Sequence, residues 1–74
     1  MSMEEEFRLR STDDFIKLGQ LLKAAGLSET GAGAKEDILS GKVMVNGEAE
    51  YRRGKKLKDG DMVSFSGKTI KIIK

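Results

Sequence analysis

Neither cysteine nor histidine occurs anywhere in the 74-residue sequence. Without thiols there are no disulfides and no thiolate zinc sites, and without imidazole the commonest general base and metal ligand are missing too. Cysteine nucleophiles and Ser–His arrangements are excluded with them. Carboxylates and lysines remain, but charged residues at 35% are what a small, well-solvated surface requires. The expectation is a protein that is not an enzyme and that holds no metal and no cofactor. Aromatic residues are scarce, with three Phe, one Tyr and no Trp. Apolar runs extend over only a few residues, far short of the roughly 20 a spanning helix needs, and no signal-peptide pattern is present. A cytoplasmic protein without a membrane partner is expected. The opening Met1-Ser2-Met3 has the character of an expression remnant or an upstream start and contributes nothing to the expected fold.

A chain this short buries only about 60% of the surface its unfolded form exposes. With no covalent or metal staple, its stability must come from regular elements around a compact apolar core. No internal repeat, linker or low-complexity segment divides it. One module spanning 1–74 is expected, acting as a monomer.

Phe7-Arg8-Leu9-Arg10 alternates apolar and basic residues, which suits a short half-buried strand, with Glu4–Glu6 before it as a frayed lead-in. Ser11-Thr12-Asp13-Asp14 is a turn. Phe15, Leu18, Leu22 and Ala25 fall at helical spacing, with Leu21 widening the stripe. That helix starts either after Thr12, or near Lys17 with Phe15-Ile16 extended, and Gly26 ends it. Ser28 or Thr30 can cap a second helix running to about Ser40, packed through Ala32, Ala34, Ile38 and Leu39 and stopped by Gly41. Beyond Gly41 the period changes to two. Val43 and Val45 lead into Asn46-Gly47, a type I′ hairpin signal, and Glu48–Tyr51 returns. The basic loop Arg52-Arg53-Gly54-Lys55-Lys56 follows, then Leu57, a turn at Asp59-Gly60, Met62–Phe65, a turn at Ser66-Gly67, and Thr69–Ile73. The fold class is α+β, with two helices packed on one side of a small twisted antiparallel sheet of four to five short strands.

The net charge of +2 hides a step along the chain. Residues 1–34 carry four Lys/Arg against six Asp/Glu, and residues 35–74 carry ten against six. Such an asymmetry suits a second half that faces a polyanion, although a solubilising surface would look the same.

The block from Leu18 to Val63 carries more. It runs Leu-Gly-Gln-Leu-Leu-Lys-Ala-Ala-Gly-Leu, then Gly-Ala-Gly-Ala-Lys, Ile-Leu-Ser-Gly-Lys-Val-Met-Val-Asn-Gly and Lys-Leu-Lys-Asp-Gly-Asp-Met-Val. In order and spacing this resembles the alpha-L RNA-binding domain, the S4 RNA-binding family, and most closely its stand-alone bacterial YaaA/YbcJ-like members. The resemblance places the core motif at 18–63 and implies binding of structured RNA, ribosomal RNA first and transfer RNA second, with ribosomal proteins as further partners. It also implies that Lys35 on the second helix, Lys42 after the helix-ending glycine, and Arg52, Arg53, Lys55 and Lys56 in the loop after the hairpin face RNA. Many members carry an arginine four positions before Lys35, where this sequence has Gly31. That departure leaves the fold intact and shifts the expected grip from the helix to the loop.

Physical chemistry points to the same residues. Lys and Arg that neutralise phosphates release counterions, and Arg can fork two hydrogen bonds onto one phosphate. The three Phe lie in apolar patterns and are expected in the core, which leaves Tyr51 as the stacking platform. Modules that read single-stranded bases use several exposed aromatics, so recognition by shape and phosphate geometry is expected, with little base readout. Asn46 mainly fixes the hairpin but is within reach of RNA from the turn. Asp59-Gly60-Asp61 reads as a turn, since two carboxylates without further oxygen ligands bind Mg²⁺ or Ca²⁺ poorly.

Three rivals differ in kind. A ubiquitin-like sulfur carrier shares the length and the Val-Asn-Gly hairpin, but its chemistry needs a C-terminal Gly-Gly carboxylate and this sequence closes on Ile72-Ile73-Lys74. A ribosome-associated interaction or assembly factor without direct RNA contact is compatible with the sequence, alone or together with RNA binding. A helix-turn-helix DNA binder fits less well, because Glu36 and Asp37 on the second helix would repel a phosphate backbone.

Overall fold

The computed structural model describes residues 3–27 and 31–74. Strand β1 (Met3–Arg8) is followed by the two-residue strand β2 (Ile16–Lys17), helix α1 (Leu18–Ala24) and helix α2 (Gly31–Leu39). Strands β3 (Met44–Val45), β4 (Glu48–Ala49), β5 (Lys56–Leu57), β6 (Met62–Phe65) and β7 (Lys68–Ile73) complete the chain. Five strands form one sheet in the order β1-β7-β6-β3-β4, and β2 pairs with β5 as a separate ribbon.

The expected α+β architecture holds, with one difference in strand direction. β1 runs parallel to β7, so the main sheet is mixed rather than antiparallel. Hairpins force antiparallel pairing between sequence neighbours, but β1 and β7 lie at opposite ends of the chain and no tight turn fixes their sense. The acidic lead-in is also not frayed. Glu4, Glu5 and Glu6 pair with Thr69, Ile70 and Lys71, and the pairing extends to Leu9, whose N–H donates to the Ile73 carbonyl at 2.7 Å. A single-sequence period cannot reveal that an acidic segment has a strand waiting for it sixty-odd residues away.

Helix α1 begins at Leu18, after an extended Phe15–Lys17, which settles the two alternatives for its start. Both helices end in the same way. Gly26 and Gly41 take positive φ, 73° and 78°. The N–H groups of Leu27 and Lys42 then reach back to the carbonyls of Leu22 and Asp37 at 2.9 and 3.3 Å. This is the Schellman closure that a left-handed glycine permits. The expected caps at Ser28 and Thr30 lie outside the described residues.

The core joins Leu18, Leu21 and Leu22 of α1 and Ala34 and Ile38 of α2 to Val43, Val45, Leu57, Val63, Ile70 and Ile72. Alternation along the sheet puts Val45, Val63, Ile70 and Ile72 on the face beneath the helices, and leaves Met44 and Met62 on the outer face, both exposed. Two apolar residues expected in the core lie outside it. Leu39 is exposed because it sits one residue, about 100° of helical turn, past Ile38. Phe15 is exposed because it precedes the helix, so helical spacing never applied to it; the Lys56 ammonium lies 4.8 Å from its ring centroid. Phe7 and Phe65 are half-buried against the core.

The hairpin is locked by a side chain. Asn46 and Gly47 both take positive φ, as a type I′ turn requires. The Asn46 Oδ1 accepts from the Met62 N–H at 2.9 Å, and its Nδ2 donates to Asp61 Oδ1 at 3.1 Å. Asp61 in turn accepts from the Lys58 N–H at 2.7 Å.

With so thin a core, one buried leucine is a large share of the total. Leu22→Ala removes a fully buried side chain and should cost about 2–5 kcal/mol by urea unfolding; a loss below about 1 kcal/mol would mean that the two helices do not share one packed core with the sheet.

Candidate nucleic-acid interface

The basic loop is fastened to the start of helix α1. The first N–H groups of a helix have no partner inside it. Here the Leu18 N–H donates to the Lys55 carbonyl at 2.9 Å and the Gly19 N–H to the Arg53 carbonyl at 3.0 Å. Pairing of Ile16 with Leu57 and of Lys17 with Lys56 extends the same seam. Gln20 completes it by accepting the Lys17 N–H on Oε1 at 3.3 Å. The carbonyls of the loop thus point inward, and Arg52, Arg53 and Lys56 stand exposed.

Close approach makes the seam specific to glycine at position 19. A Cβ built there would lie 2.5 Å from Arg53 Cγ and 3.1 Å from Cδ. The aliphatic stem of Arg53 therefore rests on the bare backbone of α1, a way for a long cation to hold its position without losing hydration of its head.

The structure sorts the predicted basic residues into two groups on either side of Gly54. Arg53 faces a shallow cleft of about 360 Å³ that it shares with Lys17, Lys23, Gly19 and Ala34. Arg52, Lys55 and Lys56 border a second one of about 510 Å³, together with Lys58. Gly54 lines both. Lys35 is exposed on α2, next in sequence to the Ala34 of the first cleft. Lys42 is exposed where the Schellman bond sets its backbone. Tyr51, 58% exposed, lies against Gly41, where a Cβ would meet its ring at 3.2 Å. Asn46 lines neither cleft, and its amide is engaged within the fold.

Not every cation in the loop is equally available. Arg52 Nε lies 2.8 Å from Glu50 Oε1, which also accepts the Arg52 N–H at 3.2 Å. The hydrogen bond from Arg52 holds the Glu50 carboxyl below the usual carboxylate range, and the same bond raises Arg52. The pair is therefore fully formed above the ordinary carboxylate range and is lost as pH falls through the lowered Glu50 value. Any anion approaching Arg52 would have to compete with Glu50, whereas none of the described ion pairs engages Arg53.

Sequence reasoning missed Lys17, Lys23 and Lys58. The first two lie in the acidic half, where a charge count by halves conceals them. Their signal was spacing: Lys17, Gln20 and Lys23 recur every three residues, opposite the Leu18-Leu21-Leu22 stripe. Among the described residues no cluster of three or more His, Cys, Asp or Glu is placed to hold a metal. Asp59 and Asp61 instead accept backbone N–H groups of Lys74 and Lys58. No helix among the described residues is long and apolar enough to cross a membrane.

Two short helices on a mixed sheet, with a basic loop seated on the first helix, define a small α+β module of the alpha-L type. The family model described as "S4 domain" matches residues 7–73, and the chain belongs to that family. It is 41% identical over 58 residues to "Putative RNA-binding protein YbcJ" of Escherichia coli (strain K12), covering 78% of this chain and 83% of that protein. It is 43% identical over 54 residues to "Probable ribosome maturation protein RlbA" of Bacillus subtilis (strain 168), covering 73% and 76%. Its fold is similar to the solution structure of YbcJ from E. coli, described as revealing an alfaL motif involved in RNA-binding. The TM-score is 0.68 at 38% identity, over 93% of this chain and 86% of that one.

If the seat of Arg53 depends on the bare backbone at position 19, Gly19→Ala must move it. Amide NMR shifts of Arg53 and Gly54 should change by more than those of the distant Gly47 hairpin, with the protein still folded. Unchanged shifts at Arg53 and Gly54 would show that its stem does not rest on α1.

Proposed function

We propose that this chain is an RNA-binding module that holds structured RNA by its phosphates, without turnover. Ribosomal RNA is the first candidate target and transfer RNA the second. The observation that carries this reading is the basic loop, bonded through its own carbonyls to α1, with cations directed to both sides of Gly54. A loop already fixed loses little conformational entropy on binding, so more of the phosphate attraction appears as affinity. Lys17, Lys23 and Arg53 serve one stretch of backbone, and Arg52, Lys55, Lys56 and Lys58 another. Lys35 and Lys42 extend the surface, and Tyr51 lies at its border. Asn46 acts from within, as the latch of the hairpin. The names of the two relatives, one an RNA-binding protein and one a ribosome maturation protein, support the same reading. The module works in the cytoplasm, as a monomer, and spans residues 1–74 around the 18–63 motif.

A second reading, an assembly factor that docks on ribosomal proteins, is favoured by the open sheet face with its two exposed methionines. The two readings separate under one set of variants. If about three to five phosphates are neutralised, log affinity for a structured ribosomal RNA fragment should fall against log salt with a slope between roughly −2 and −4.5. Lys35→Glu should weaken binding to all RNA sequences alike. Charge reversal of Arg52 and Arg53 should abolish RNA recovery in a pull-down while any protein partners are retained. A salt-independent affinity, or RNA recovery that survives the charge reversal, would sink the phosphate mechanism.

A further inference from the structure

A concavity larger than either cleft beside the basic loop lies away from that loop. It is a groove of about 720 Å³ between the end of β1, the 12–14 turn and the start of α1. Phe7, Phe15 and Ile16 give it an apolar lining, and Arg8, Arg10 and Lys17 bring positive charge to it. Phe15 is an unusual floor for so small a protein, being 37% exposed where apolar burial is scarce. The Lys56 ammonium lies 4.8 Å from its ring centroid, yet Lys56 is not among the residues lining the groove. Phe15 thus lines the groove while also meeting the Lys56 ammonium. Of the two acidic residues in the lining, Asp14 is already engaged by Lys74 at 2.6 Å.

We propose that this groove takes one unpaired nucleotide of the bound RNA, its base stacked on Phe15 and its phosphate held by Arg10 and Lys17. The proposal rests on the RNA-binding reading above and extends it from phosphate contact to base contact. Continuity argues for a nucleotide rather than a free metabolite. Lys17 and Gln20 line both this groove and the Arg53 cleft, so a strand leaving the clefts reaches Phe15 without a break. The chemistry matches as well. A base offers a flat π face to an aromatic ring, and Gln20, whose Oε1 is turned to the Lys17 N–H, keeps its amide donors for a base edge. A duplex held by shape alone has no use for an apolar groove. An unpaired base beside a duplex does.

The test compares three RNAs by fluorescence anisotropy at low salt. One is a blunt hairpin, the second carries a three-nucleotide unpaired 3′ tail, and the third carries the same tail with abasic riboses. The abasic tail has the same phosphates, so any difference from the normal tail is due to the bases. The wild-type protein should bind the normal tail at least about fivefold more tightly than the abasic one, the low end of what base–aromatic stacking provides. Phe15→Leu keeps an apolar side chain at a partly exposed position and should erase that difference, with binding of the blunt hairpin unchanged. Equal binding of the two tails by the wild-type protein, or a difference that survives Phe15→Leu, overturns the proposal. Arg53→Glu should weaken all three RNAs. If the wild-type protein fails to bind the blunt hairpin, or binds it as well with Arg53→Glu, the RNA-binding reading itself fails, and this one with it.

Discussion

Two backbone hydrogen bonds, from Leu18 and Gly19 to the carbonyls of Lys55 and Arg53, join the basic loop to the start of helix α1. A helix beginning in the middle of a small domain exposes donors that must find partners. Side-chain caps would have satisfied them locally. Using the carbonyls of a distant loop instead fixes that loop against the helix, and the same two bonds that start α1 also present its cations. Leu57, just beyond the loop, is fully buried in the core, so the loop is anchored at its far end as well.

That arrangement turns a flexible basic pentamer into a surface with sides. Gly54 divides it, Arg53 leans over Gly19 towards Lys17 and Lys23, and Arg52, Lys55 and Lys56 face the other way. Glu50 tempers Arg52, and none of the described ion pairs engages Arg53, the other guanidinium of the loop. Several acidic residues are engaged elsewhere: Glu4–Glu6 pair with β7, and Asp61 ties down the Asn46 hairpin. The surface is thus basic by placement more than by net charge, which is only +2.

Much of this was legible in the sequence, where local chemistry decides the outcome. Glycines after apolar stripes marked both helix ends, Asn46-Gly47 marked the hairpin, and the order of motifs marked the family. What was not legible depends on distant pairing. The parallel β1–β7 contact, the order given to the acidic lead-in, and the meeting of Lys17 and Lys23 with Arg53 all join segments that no sequence window contains together. Phe15 shows the same limit from the other side. Its spacing matched the apolar stripe of α1, but the chain is still extended there, so the ring faces outward. The sequence therefore marked the basic loop as a segment, but not the lysines of α1 that the fold sets beside it.

Whether RNA meets the seam between the basic loop and α1 can be read from an NMR titration of the labelled protein with a structured RNA. RNA held at the seam should place the largest amide shift changes on Lys17, Gly19, Lys23 and the 52–58 segment, with Met44, Met62 and the outer sheet face little affected. Changes concentrated on the outer sheet face, with the seam unmoved, would contradict it.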